Sequence, residues 1–188
     1  GSTSILNQEE LAKYPFLKYI IHCCSGTNNI DQDYCKTHQI QIFNSPTANI
    51  NATAEHTVAL ILTAQRKILA ADKSIREGNW DRDKFQGKEI NDCTIAFIGF
   101  GNIARSVLKK LSGFNPKEVL IFDPFLSQEQ ITSKTINNIN TKKVELGELL
   151  TQADIISLHL PLSLQTKHLI AKDQFNLMKK DSIIVNTS

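Results

Sequence analysis

Gly99-Phe100-Gly101-Asn102-Ile103-Ala104 has the spacing G-x-G-x-x-[GA], a turn whose backbone can come close to an anion. Many such turns do nothing but turn, so the surroundings carry the argument. The apolar run Ile95 to Ile98 feeds directly into the first glycine, and an apolar-periodic helix follows from Ile103. A second apolar run ends in Asp123, 22 positions after Gly101, where about 20 are expected of a dinucleotide fingerprint. Gly99 permits the tight turn, Gly101 keeps a Cβ out of the way of a pyrophosphate, and Ala104 lets helix and strand pack closely. Unpaired N–H groups at the start of the helix near Asn102 then face the anion. Asp123 would accept hydrogen bonds from the adenosine ribose and repel a 2′-phosphate. Pro124-Phe125-Leu126-Ser127 offers no Arg or Lys to offset that repulsion, so NAD(H) is expected over NADP(H). The plainer alternative is a strand-end Asp that only caps the turn before Pro124.

Other reactive side chains make a weaker case. Glu55 beside His56 resembles an acid/base dyad, but helix neighbours point about 100° apart, which favours a hinge or packing role. Glu145 and Glu148 read as the solvated start of a helix. Cys23, Cys24, Cys35 and Cys93 lack CxxC or His-rich spacing, so buried, reduced thiols are expected and no metal site.

The elements that must position these residues fall into three stretches. In the first, Asn7 to Lys13 reads as a short helix, Leu17 to Cys24 as a buried strand, Asp31 as the cap of a helix to about Thr37, and Ile40 to Phe43 as a second, parallel strand. The second is one long helix from about Asn51 to Arg76, without interior Pro or Gly, followed by a polar arm from Asp81 to Asp92. From Cys93 onward, strands at Thr94–Gly99, Val119–Phe122, Ile155–Leu160 and Ser182–Asn186 alternate with helices at Ile103–Leu111, Leu146–Gln152 and Lys172–Met178. That order is a doubly wound α/β parallel sheet in its opening half. Ser127 to Asn140 is polar and reads as a surface excursion.

The 188 residues suffice for a sizeable core, and 21 Lys+Arg against 19 Asp+Glu leave a net charge of only +2. Neither nucleic acid nor an acidic membrane is therefore an expected partner. No apolar run approaches the roughly 18 residues of a membrane span, and the cytoplasm is the default compartment.

Taken in order, Ser25-Gly26-Thr27-Asn28-Asn29-Ile30-Asp31, Asn44-Ser45-Pro46, Ala54-Glu55-His56, Gly78-Asn79-Trp80, the glycine turn, Asp123-Pro124, Ser157 to Leu162 and Val185 to Ser188 form a specific set. On these the chain resembles the D-isomer-specific 2-hydroxyacid dehydrogenases, most of all the branch acting on D-3-phosphoglycerate, which serves serine biosynthesis. The resemblance implies a Rossmann NAD-binding domain joined to a smaller flavodoxin-like substrate domain. Residues 1–46 would be part of the substrate domain, 47–92 a hinge and dimerisation helix with its arm, and 93–188 the NAD-binding domain, in a homodimer. It further implies that Cys24, Ser25 and Gly26 present backbone N–H groups to the carboxylate of a 2-hydroxy or 2-keto acid. Asn102 and Ile103 would contact pyrophosphate and ribose, while Leu160, Pro161, Thr187 and Ser188 line the adenine and nicotinamide sides. His159 matches the cofactor-lining loop rather than the family's acid/base histidine.

The family's catalytic Arg directly follows the segment ending at Ser188, and its Glu and His lie further on. No catalytic residue is therefore expected within these positions, and the chain reads as an internal fragment that is inactive alone and marginally stable. The Arg that binds substrate phosphate in the 3-phosphoglycerate branch would fall on Gly1, so glyoxylate, hydroxypyruvate and lactate-type substrates stay open. The competing reading is a non-catalytic NAD(H)-binding regulatory module, like the corepressor relatives of the same fold.

Overall fold

The computed structural model describes residues 4–24, 26–134 and 139–188. The chain divides into two compact units, Gly1–Ile50 and Asn51–Ser188.

In the first unit, α1 (Gln8–Leu11) starts at Asn7, whose side chain accepts from the Glu10 amide at 2.9 Å. Asp31 caps α2 (Gln32–Thr37) in the same way, accepting from the Tyr34 amide at 2.9 Å. The strands β1 (Tyr19–His22) and β2 (Gln41–Asn44) pair in parallel, with Tyr19 opposite Gln41 and His22 opposite Asn44. Leu11, Ile30, Cys35 and Ile40 form the core, with Ile20 and Ile42 against it. The expectation of a buried first strand is corrected here. Burial alternates along β1, because only one face meets the core, and Tyr19, Ile21 and Phe43 stand exposed. The cysteine expectation also needs correction. Cys35 and Cys93 are buried, and burial pushes both thiols up, but Cys23 is exposed and Cys24 half-buried.

The second unit opens with a departure from the single long helix. Two helices occupy that stretch, α3 (Ile50–Gln65) and α4 (Ile68–Arg76), separated by Lys67 in the left-handed conformation at φ 51°. No Pro or Gly marks the break. The cause is the arm that crosses here: the side-chain Nε2 of Gln65 donates to Lys88 O at 3.1 Å and to Cys93 Sγ at 3.1 Å. A Cβ on Gly87 would lie 1.9 Å from Gln65 O, so only glycine lets the arm pass this close. These contacts offset the left-handed Lys67, which costs about 1–2 kcal/mol.

The sheet follows: β3 (Thr94–Ile98), β4 (Glu118–Phe122), β5 (Thr141–Lys143), β6 (Ile155–Leu158) and β7 (Ile183–Asn186), all parallel, in the order β5-β4-β3-β6-β7. This is the doubly wound order, reversing at β3. The central strand β3 is fully buried and alternates its side chains between two cores. Ile95 and Phe97 join Ala54 and Ile61 of α3 and Val107 and Leu111 of α5 (Asn102–Leu111). Ala96 and Ile98 join Leu149 and Leu150 of α7 (Leu146–Gln152). The last helix, α8 (Lys172–Leu177), precedes β7.

The polar excursion from Ser127 to Asn140 is also corrected in part. Gln128–Lys134 forms α6, anchored by the fully buried Ile131, while residues 135–138 lie outside the described set. The strand β5 that follows has no counterpart among the expected strands. As an edge strand of sequence Thr-Lys-Lys it lacks the apolar run that betrays the inner strands.

Asp154 ties the amino ends of these strands together. Its side chain accepts from the Thr94 amide at 2.8 Å and from Lys88 Nζ and Lys179 Nζ at 3.1 Å each. Burial opposes its ionisation, but the Thr94 hydrogen bond and the two ammonium groups outweigh it and hold the carboxyl below the usual aspartate range. Asp154→Asn is expected to cost about 1–3 kcal/mol in urea unfolding at neutral pH. A depressed carboxyl stabilises only while ionised, so the difference from the parent should shrink as pH falls through and below the ordinary carboxylate range.

Candidate cofactor site

Four strand ends build the site. At the end of β3, Gly99 turns the chain at φ 83°, a conformation that favours glycine, and its amide donates to Phe122 O at 2.8 Å. Phe100 points inward, fully buried, its ring 5.8 Å from that of Phe97. Gly101 is the N-cap of α5 and has no side-chain cap bond to offer. The first amide to find an intrahelical acceptor is that of Arg105, bonded to Gly101 O at 3.1 Å. The amides of Asn102, Ile103 and Ala104 thus have no acceptor within the helix. A Cβ on Gly101 would meet nothing within 4 Å, so the turn borders open space. A bare turn, unpaired amides and room beside them fit a pyrophosphate.

At the end of β4, Asp123 is clamped from two sides. Its Oδ2 accepts from the Phe100 amide and its Oδ1 from the Phe125 amide, both at 2.9 Å. The plainer reading of this residue, a turn cap, is therefore real geometry. It does not exhaust the carboxylate, because each oxygen can accept a further hydrogen bond. Arg105, not among the residues expected at the site, folds back over the turn. Its guanidinium donates to Asn102 Oδ1 and, at 3.4 Å, to Phe100 O. The signal was an Arg one helical turn beyond Asn102.

At the end of β6, the His159 amide continues the ladder by donating to Ile98 O at 2.9 Å. The imidazole is turned inward, with Nε2 at 2.8 Å from Ser157 Oγ and the ring 5.9 Å from that of Phe97. Burial pushes this histidine down to about 4, so it is neutral at pH 7. Leu160 follows, half-buried, and Pro161 is exposed. Beyond β7, Ser188 Oγ donates to Leu158 O at 3.0 Å, and Thr187 Oγ1 lies 2.8 Å from Thr57 Oγ1 of α3.

The structure thus brings Gly99, Gly101, Asn102, Ile103, Asp123, Leu160, Pro161, Thr187 and Ser188 to one edge of one sheet, its carboxyl edge. The Ile103 side chain packs against the core, which leaves its amide for a ligand. Cys24 and Gly26 belong to the other unit, at the carboxyl end of β1, and Ser25 lies outside the described residues. Nearby, both ring nitrogens of His22 are buried without a hydrogen-bond partner among the described residues. Glu55 bonds Asn51 Nδ2 at 2.7 Å and Lys110 Nζ at 3.4 Å, and His56 is exposed, so no dyad forms there.

Residues 58–188 match the family model described as D-isomer specific 2-hydroxyacid dehydrogenase, NAD binding domain. The chain belongs to this family. The matched residues are its NAD-binding domain, and they include every strand of the larger sheet. The D-3-phosphoglycerate dehydrogenase of Mycobacterium tuberculosis is 35% identical over 187 residues, 100% of this chain and 34% of that protein. The hydroxypyruvate reductase of Thermotoga maritima is 35% identical over 172 residues, 92% of this chain and 53% of that protein. Among solved structures, D-lactate dehydrogenase from Aquifex aeolicus, complexed with NAD and lactic acid, superposes with a TM-score of 0.87 at 32% identity. That alignment covers 97% of this chain and 53% of the other. The chain spans about a third of the length of the curated phosphoglycerate dehydrogenases it matches.

Proposed function

We propose that this chain carries the cofactor-holding part of an NAD-dependent dehydrogenase that interconverts a D-2-hydroxy acid and its 2-keto acid, with 3-phosphoglycerate as the leading substrate. The observation that carries the reading is Asp123, a carboxylate held at the tip of β4 by the glycine turn itself, with accepting capacity to spare. In this reading the amides of Asn102 and Ile103 receive the pyrophosphate at Gly101, with Arg105 adding positive charge, and Asp123 takes the adenosine ribose hydroxyls. Leu160 and Pro161 flank the adenine side, and Thr187 and Ser188 the nicotinamide side. Cys24, Ser25 and Gly26 offer backbone N–H groups to the substrate carboxylate. Bound NAD(H) supplies the hydride acceptor or donor. His159 is given no proton-transfer role, because its Nε2 is engaged by Ser157 and burial opposes the imidazolium that taking up a proton would form. The same reading makes the protein a homodimer, for which Leu69, Ile75 and Trp80 supply exposed apolar surface.

Calorimetric titration tests the cofactor part. NADH should bind at least about tenfold more tightly than NADPH, since like charges about 4 Å apart repel by about 4 kcal/mol at the effective dielectric of a protein surface, well above the roughly 1.4 kcal/mol of a tenfold difference. Asp123→Asn should weaken NADH about 10- to 100-fold, as loss of a charged hydrogen-bond acceptor does, and narrow the gap to NADPH. Equal affinity of the parent chain for the two nucleotides would overturn the assignment. Turnover of the full-length protein on 2-keto acids with and without phosphate tests the substrate class.

A further inference from the structure

Thr57 is fully buried in α3, and its hydroxyl oxygen lies 2.8 Å from two others, the Thr53 carbonyl one turn back and the hydroxyl of Thr187 beyond β7. A hydroxyl has one proton, and a carbonyl can only accept. Thr57 therefore donates to Thr53 O and accepts from Thr187, which spends the Thr187 proton on the helix. What Thr187 has left is an oxygen that can only accept. In a doubly wound sheet the second mononucleotide lies across the second half of the strand order, here the ends of β6 and β7, while Asp123 on β4 serves the adenosine half.

We propose that Thr57 is a positioning residue for the nicotinamide end of the cofactor site: it orients Thr187 as an obligate acceptor, matched to a donor such as the nicotinamide carboxamide NH2. The inference rests on the reading of this edge as the NAD site. It also gives α3 a role beyond packing. Thr57 and Thr187 both belong to the second unit, so their bond fixes α3 against the β7 edge within it.

The test uses three ligands on the full-length protein: NADH, its 3-acetylpyridine analogue, in which a methyl replaces the carboxamide NH2, and ADP-ribose, which lacks the nicotinamide. Thr57→Val keeps the shape and removes the hydroxyl. It should weaken NADH about 3- to 10-fold, the worth of a single misdirected hydrogen bond. ADP-ribose should be unaffected, and the preference for NADH over the acetylpyridine analogue should shrink. Thr57→Ser, which restores the hydroxyl, should return all three affinities to within about twofold of the parent, a difference too small to reflect a lost hydrogen bond. If Thr57→Val does not fold, Thr187→Val should give the same pattern. The inference is overturned if NADH and ADP-ribose weaken together, if neither changes, or if the acetylpyridine preference is untouched. A parent chain that binds neither NADH nor ADP-ribose would instead overturn the cofactor reading beneath it.

Discussion

Gly99→Ala is expected to be among the most damaging single substitutions in the second unit, costing about 2–5 kcal/mol of unfolding free energy. Two contributions add. An alanine at φ 83° is strained by about 1–2 kcal/mol. Its Cβ would also lie 2.5 Å from His159 O and 2.8 Å from Leu160 Cδ2. The leucine methyl can rotate away, but the carbonyl belongs to a residue whose own amide is bonded to Ile98 O, so β6 must shift against β3, at about 1–3 kcal/mol. Gly101→Ala supplies the contrast. Its backbone is extended and its Cβ would meet nothing within 4 Å, so stability should stay within about 0.5 kcal/mol of the parent. NADH affinity should nonetheless fall at least about tenfold, because the methyl occupies the space a pyrophosphate needs. Urea midpoints and NADH titrations of the two variants should therefore dissociate, Gly99 on stability and Gly101 on binding. Equal stability losses at both positions would contradict this account of the turn.

Acid should destabilise the protein well before its carboxylates are titrated. His159 is held neutral by burial and pushed down to about 4, whereas an unfolded chain has a histidine of ordinary basicity near 6.5. The unfolded state thus takes up a proton that the folded state refuses. The group's contribution is intact above about pH 6.5 and is lost as pH falls from there toward 4, by which point it amounts to about 3 kcal/mol. The window differs from that of Asp154, whose contribution is lost only at and below the carboxylate range. His159→Asn keeps a polar partner for Ser157 and cannot be protonated there. Its unfolding free energy should be nearly flat between pH 7 and 5, where the parent loses about 2 kcal/mol. A parallel pH dependence in parent and variant would show that another group controls acid sensitivity.

Both effects centre on contacts that form only in the folded chain, beyond what local sequence encodes. The turn at Gly99 to Ala104, the start of α5 and the carboxylate at the end of β4 were legible because a strand–turn–helix unit is encoded by neighbours in sequence. The bounds of α7, Leu146–Gln152, coincide with the expected ones for the same reason. Asp31 as a helix cap is equally local. The break at Arg66-Lys67 was not legible: its cause is an arm some twenty residues downstream, and the helix sequence itself is uniformly favourable. Arg105 is not legible either, because its place over the turn comes from the direction in which its side chain folds, not from its helix position.

Composition, periodicity and turn chemistry by themselves determined the class of the sheet, where its inner strands lie along the chain, and the strand–turn–helix unit with its two glycines and the carboxylate that follows β4. Each of these is written within a window of a few to about twenty residues. Tertiary structure alone decided that His159 is a half-buried neutral group, that β5 closes one edge, that α3 stops at Gln65, and that Thr57 meets Thr187 across 130 positions. Those outcomes depend on which distant segments are brought against each other, and on the burial and hydrogen-bond partners that result, and no local pattern encodes a partner that far away.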